Sequence, residues 1–169
     1  DLVGGAARRY TAAFLTHINT VPGGRVYLGR DLRASSAAIV EDCAIAIRAA
    51  GLVPVDCGAL PTPALALHAM AAGSAAIMVT GSHIPPDRNG LKFYTAAGEI
   101  TKADEAGIAA ALSDAVPRGE GRAVDETAQA GDRYRQRYRG ILAETALKGW
   151  RIGVFEHSIA QLVALAALM

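Results

Sequence analysis

Cysteine is scarce in this chain. There are two in 169 residues, Cys43 and Cys57, which is too few for a disulfide framework. They fall on what read as separate elements, so two buried thiols in a reducing compartment are expected. An excess of one charge is also missing. Seventeen Lys and Arg face sixteen Asp and Glu, for a formal net charge of +1. Without a basic footprint, nucleic acid is not the expected partner. No apolar run has the ~20 residues that a membrane-spanning helix needs. The apolar tail from Ile159 to Met169 reads as a buried helix, no signal peptide is evident, and the expected compartment is the cytoplasm, with no membrane partner. The chain has no dinucleotide-binding glycine fingerprint and no P-loop. It also has no Gly-x-Ser-x-Gly elbow, no zinc-ligand spacing and no Asp-x-Asp-x-Asp cluster.

What is present centres on Val79 to Tyr94: Val-Thr-Gly-Ser-His-Ile-Pro-Pro-Asp-Arg-Asn-Gly-Leu-Lys-Phe-Tyr. The apolar run Ala75 to Val79 enters it as a strand and breaks abruptly into small and polar residues. In α/β proteins such a break is where ligands bind. Upstream, the order strand (Arg25 to Gly29), helix (Ser36 to Ala50), strand (Leu52 to Cys57), helix (Thr62 to Ala72), strand (Ala75 to Thr80) is a βαβ pattern. It predicts an α/β domain with helices on both faces of a mostly parallel sheet. The loops after those strands, Gly29 to Arg33, Gly58 to Pro63 and Gly81 to Asn89, then share one edge. A helix from Gly4 to Asn19 precedes this unit, with Ala6, Tyr10, Ala13, Phe14 and Ile18 on its apolar face. Downstream, the pattern predicts an antiparallel strand from Leu91 to Tyr94 after an Asn89-Gly90 turn. A helix capped by Thr101 or Asp104 follows, then a surface loop from Val116 to Thr127 and a helix from Asp132 to Ala146 rich in Arg and Tyr. A fresh strand, Gly149 to Phe155, leads into the apolar tail, so a domain boundary is expected near Leu147 to Gly149. Residues 1–147 would form one domain and residues 148–169 the start of a second.

Ser82 has two readings. Beside Gly81, whose bare backbone allows close approach, it is suited to act as a nucleophile or to carry a phosphoryl group. It is equally suited to a turn, bonding its own backbone. His83 cannot readily face its neighbour as in a hydrolase triad; phosphate binding or loop positioning fits it better. Lys92 reads as a general acid/base folded back across the hairpin, or as a solvated edge residue. Arg30, Asp31 and Arg33 suit either phosphate binding or the locking of one loop to another by bidentate bonds.

Thr80-Gly81-Ser82-His83-Ile84-Pro85 with Asn89-Gly90-Leu91-Lys92 resembles the active-serine loop of the α-D-phosphohexomutases, the family of phosphomannomutases, phosphoglucomutases and phosphoglucosamine mutases. Gly29-Arg30-Asp31 with Arg33 and Ser35 is similar to a second signature of that family, and Pro61-Thr62-Pro63 to a third. The three stand in the family's order from about Arg25 to Leu112. The resemblance implies the first domain of a multidomain enzyme that interconverts hexose 1- and 6-phosphates through a bisphosphate. Ser82 would carry the phosphoryl group and hold Mg2+ through it. Lys92 would act as general acid/base, His83 would lie near the transferring group, and Arg30, Asp31, Thr80 and Gly81 would support the crevice. Two departures stand out. Ile84 replaces the family's Asn, and the acidic magnesium loop, the sugar-selecting loop and the phosphate-binding domain are not in this sequence. A non-catalytic phosphosugar-binding module, or a degenerate paralogue, is the alternative.

Overall fold

A computed structural model describes residue 2, residues 5–141, 143, 145–151 and 153. The elements run α1 (Ala6–His17), β1 (Arg25–Arg30), α2 (Ser36–Ala49), β2 (Val53–Ala59), α3 (Thr62–Ala71), β3 (Ala75–Val79), β4 (Leu91–Thr95), β5 (Gly98–Glu99), α4 (Lys102–Ala110), β6 (Val124–Asp125) and α5 (Thr127–Arg139). The six strands form one sheet in the order β5-β4-β3-β1-β2-β6. β1 pairs in parallel with β2 and β3, and β2 with β6, whereas β3–β4 and β4–β5 are antiparallel. The architecture is the expected three-layer α/β/α sandwich with a mixed sheet.

Strand side chains alternate between faces, and the core divides accordingly. Val26, Leu28, Ile77, Val79 and Phe93 point to one face, where Phe14 of α1, Cys43 and Ile47 of α2 and Ile108 of α4 cover them. Phe14 stacks on Phe93 with ring centroids 4.6 Å apart. Tyr27, Val55, Cys57, Met78 and Tyr94 point to the other face, under Leu65 and Ala69 of α3 and Ala130 of α5. The two thiols are therefore buried in different layers, and burial pushes each up to about 12. Neither is a reactive thiolate at neutral pH.

Several local expectations are corrected. α1 is shorter than Gly4 to Asn19 and turned: Tyr10 is exposed, while Ala7, Thr11 and Leu15 are buried. Its buried stripe follows the closely packed small residues rather than the tyrosine. Ser35, which precedes α2, makes no side-chain cap; its hydroxyl accepts from Asn89 instead. α3 starts at Thr62, with Pro61 before it making no side-chain cap, and ends at Ala71 rather than Ala72. Asn89-Gly90 is not a tight hairpin turn; β3 and β4 are joined by the whole loop from Thr80 to Gly90. α4 opens on a reciprocal capping box in which Thr101 and Asp104 act together, and it stops at Ala110. The loop from Val116 to Thr127 contains the two-residue strand β6. α5 begins at Thr127, five residues before the expected Asp132. Of the expected strand from Gly149 to Phe155, residues 152, 154 and 155 lie outside the described residues, as does the helix after it, and the described residues 149–151 and 153 are not in a strand.

A polar cluster docks α5 on the sheet. Glu126 accepts from Arg25 of β1 at 2.5 Å and from the buried His68 of α3 at 2.8 Å, and Arg133 donates to His68 Nδ1 at 3.2 Å. An arginine can only donate, so Nδ1 is the acceptor and Nε2 carries the proton toward Glu126. His68 also meets the Tyr27 ring edge-on. This cluster joins the first residue of β1, the residue after β6, α3 and α5.

Candidate functional site

Because β1, β2 and β3 are parallel and in register, Arg30 sits beside Ala59 on one side and Val79 on the other. Their following loops leave the sheet together, as the βαβ pattern predicts. The register between β1 and β2 slips between Leu28 and Arg30, an irregularity that re-aims the chain just ahead of Asp31. The Asp31 N–H donates to Val79 C=O at 3.0 Å, and the Leu60 N–H donates to Arg30 C=O at 3.2 Å. The three loops are thus joined at their roots by backbone bonds.

Asp31 is the hub. It is 9% exposed. Its Oδ1 accepts from Ser36 Oγ at 2.5 Å and from the Arg33 N–H at 3.1 Å; Oδ2 accepts from Thr80 Oγ1 at 3.0 Å, the Gly81 N–H at 3.2 Å and Arg33 Nε at 3.1 Å. Burial works to raise its pKa. The bonds from Ser36, Arg33, Thr80 and Gly81 outweigh that and hold the carboxyl below its ordinary value. Asp31 is ionised at neutral pH and saturated with donors, so it anchors the loop and is not poised to take a proton.

Arg33 reaches from the β1–α2 loop under the Ser82 loop. Its Nη2 donates to the carbonyls of Ser82 at 3.0 Å and Ile84 at 2.9 Å, and its Nη1 to those of Pro85 and Arg88. Of the two roles open to this arginine in the sequence, the structure shows loop locking. Arg30 is different: its guanidinium makes one long bond, 3.4 Å to the Asp31 carbonyl, and is otherwise without a protein partner among the described residues. Arg88 is exposed and contributes its carbonyl rather than its charge.

Asn89 closes the loop from its far end. Its amide donates to Ser36 Oγ at 2.8 Å and Ser35 Oγ at 3.1 Å, while its carbonyl oxygen accepts from the Gly90 N–H at 3.1 Å. The Thr80 N–H then bonds Gly90 C=O at 3.0 Å. Asn89 reads in the sequence only as a turn residue. Ser36, the first residue of α2, bridges Asp31 and Asn89. The adjacency of Asn89 to the loop and of Ser36 to Asp31 is visible in the sequence; that the two meet is a product of the tertiary fold.

Ser82 stands at the outer end of this assembly. It is exposed, with a positive φ of 48°. Its N–H donates to Thr80 Oγ1 at 3.1 Å, and its hydroxyl bonds to none of the described residues. The bland reading, a turn serine bonding its own backbone through its side chain, is therefore not what the geometry shows. His83 is exposed beside it and likewise unpaired. Ile84 presents its carbonyl to Arg33, so replacing Asn there leaves this latch intact.

Lys92 lies in β4 opposite Met78, on the sheet face shared with Met78 and Tyr94. The residue is half-buried, and its ammonium has no hydrogen-bond or ion-pair partner among the described residues. No hydrogen bond joins Lys92 to Ser82. Among the described residues, no three His, Cys, Asp or Glu side chains converge as a metal cage. These residues do not by themselves make a magnesium site; a phosphorylated Ser82 would offer the ion oxygen atoms, without converging carboxylates beside it among the described residues.

Comparison with known proteins bears on the same segment. The family profile for phosphoglucomutase/phosphomannomutase, alpha/beta/alpha domain I, matches residues 5–117. A phosphomannomutase of Sinorhizobium fredii is 48% identical over 168 residues, covering 94% of this chain and 35% of that protein. A phosphomannomutase of Salmonella muenchen is 44% identical, covering 90% of this chain and 32% of that one. The crystal structure of a protein assigned as a phosphomannomutase from Thermus thermophilus superposes with a TM-score of 0.76 at 26% identity, over 89% of this chain and 35% of its own. The chain thus spans about a third of the length of the relatives it matches.

Proposed function

The chain belongs to the phosphoglucomutase/phosphomannomutase family through that family's first α/β/α domain, and on this premise we propose that it is the serine-bearing part of a mutase interconverting hexose 1- and 6-phosphates, mannose and glucose phosphates foremost. The observation that carries the reading is Ser82: an unpaired, exposed hydroxyl on a loop held at its roots and along its length. Phosphoryl transfer asks a protein for positioning and charge neutralisation more than for covalent machinery.

In this reading phosphorylated Ser82 meets a hexose monophosphate. The free sugar hydroxyl attacks phosphorus, the bond from phosphorus to Ser82 Oγ breaks, and a hexose bisphosphate and free serine result. The sugar hydroxyl loses a proton and Oγ gains one. The bisphosphate turns over and returns its other phosphoryl group to Ser82. Lys92, with its unpaired ammonium, is the proposed general acid/base. His83 and Arg30, also without strong protein partners, are the proposed contacts to the transferring group. Asp31, Thr80 and Gly81 hold the loop. For magnesium the described residues supply no cage of their own. Residues 148–169 are proposed as the start of a second domain.

Ser82→Ala in the protein at full length tests this. Turnover of mannose 1-phosphate and glucose 1-phosphate is expected to fall at least 1000-fold, within the range by which covalent routes outrun residual binding effects, roughly 10³-fold and more. Full turnover by the variant would remove Ser82 from the mechanism. The 169-residue chain alone is expected to show none, since the family's sugar-selecting segments are not in this sequence.

A further inference from the structure

Arg33 has five N–H donors. All five are occupied: Nε by Asp31, Nη1 by the carbonyls of Pro85 and Arg88, and Nη2 by those of Ser82 and Ile84. A guanidinium so saturated has nothing left for a phosphate. We infer that Arg33 is a positioning residue: it fixes the Ser82 peptide in its left-handed conformation, and Gly81 lacks a side chain because the guanidinium occupies that space. The inference rests on the reading of Ser82 as the phosphoryl carrier.

Three independent features meet here. A serine seldom adopts positive φ, since its Cβ crowds the following carbonyl; Ser82 does so at 48°. Such a conformation persists only where the surroundings over-determine it, and the bond from Arg33 to Ser82 C=O fixes one side of that residue. Across a trans peptide the N–H opposes the C=O, so drawing Ser82 C=O toward Arg33 turns the His83 N–H away from it. The second feature is the space at Gly81: an added Cβ would lie 2.3 Å from Arg33 Cζ, 2.5 Å from Nη1 and 2.6 Å from Nε. Gly81 has no positive φ, so its backbone conformation does not require glycine, but the guanidinium beside it does. The third is the seat of the arginine itself. Asp31 grips both its backbone N–H and its Nε, and the same carboxylate binds Thr80 and Gly81 on the far side. The guanidinium and the start of the Ser82 loop thus share one anchor. Lysine, with three donors on a point-like head, cannot reproduce a planar fork over four carbonyls.

The test is a double-mutant cycle of Arg33→Ala and Gly81→Ala, read in two ways. On the folded chain, Ser82 backbone carbon shifts and its HN–Hα coupling report the left-handed conformation. In the full-length protein, kcat and KM for glucose 1-phosphate report reactivity. Arg33→Ala is expected to shift the Ser82 signature toward the ordinary α or β region and to lower kcat roughly 100-fold, the loss that a misplacement of about 1 Å produces, with KM changed less than about threefold. Gly81→Ala should act in the same direction in the wild-type background and add nothing once Arg33 is Ala. Guanidinium ion should partly restore the Ser82 signature in Arg33→Ala and not in Gly81→Ala. Should Arg33→Ala fail to fold, Arg33→Lys keeps a stem and a charge under the loop and is expected to show the same losses. A folded Arg33 variant with an unchanged Ser82 signature, or strictly additive effects in the cycle, would overturn the inference. If Ser82→Ala retains turnover, the phosphoryl-carrier reading fails by itself, while the shifts and their coupling still decide the role of Arg33.

Discussion

The guanidinium of Arg33 fills the place where a side chain on Gly81 would stand, 2.3 Å from the position its Cβ would take. A methyl group there has no room unless the fork leaves its carbonyls. Gly81→Ala is therefore expected to destabilise the domain by about 1–3 kcal/mol, the usual cost of overpacking. Urea unfolding of the chain checks this, and an unchanged midpoint would mean that the fork yields at no cost.

Asp31 sets the stability of the same loop. With its folded pKa held below the unfolded value, its contribution is complete above about pH 3.9 and is lost as pH falls through the folded value. Asp31→Asn keeps the shape but removes the charge that faces Arg33. It is expected to cost about 2–4 kcal/mol at pH 7, between the loss of charge-assisted bonds and the stranding of a buried partner. The difference from wild type should narrow as the pH falls below about 3.9. Denaturant titrations of both proteins at pH 7 and pH 3 measure it, and a gap independent of pH would contradict the assignment.

Glu126, which follows β6, makes an independent prediction. The His68 bond, set against some burial and helped by Arg25, lowers its pKa. Stability from this group is again present above the ordinary carboxylate range and lost as pH falls through the folded value. Glu126→Gln is expected to cost about 1–3 kcal/mol at pH 7 and to speed amide exchange in α5 first, because Glu126 immediately precedes that helix. Exchange that rises uniformly over the domain would argue against a local docking role.

The layering of the fold is legible in the sequence because strand alternation and helix periodicity point to one answer. Ala75 to Val79 is buried throughout, as a short apolar run between covering helices should be. The shared edge of the three loops follows from parallel βαβ connections alone. Tyr10 shows where such reading stops: its spacing fits an apolar face, yet α1 packs through Ala7, Thr11, Phe14 and Leu15. The site divides along the same line. Ser82, Asp31 and Gly81 stand out locally, by their neighbours in the chain. The five-donor role of Arg33 and the bridge from Ser36 to Asn89 join residues some 50 positions apart, and nothing local in the sequence distinguishes a locking arginine from one that binds phosphate. Lys92 is the converse case. Strand pairing sets it opposite Met78, and its proposed chemistry needs a substrate between it and Ser82.

The central claim is that Ser82 carries a phosphoryl group during turnover. Intact-mass and peptide-mapping mass spectrometry on the purified full-length protein tests this most directly, before and after addition of hexose 1-phosphate. The account predicts one phosphoryl group per chain on Ser82 of the wild type, lost to the sugar on addition of substrate and absent from Ser82→Ala. A wild-type protein that turns over hexose phosphates with Ser82 unmodified under every loading condition would contradict it; one that binds them without turnover and without modification would be a phosphosugar-binding module.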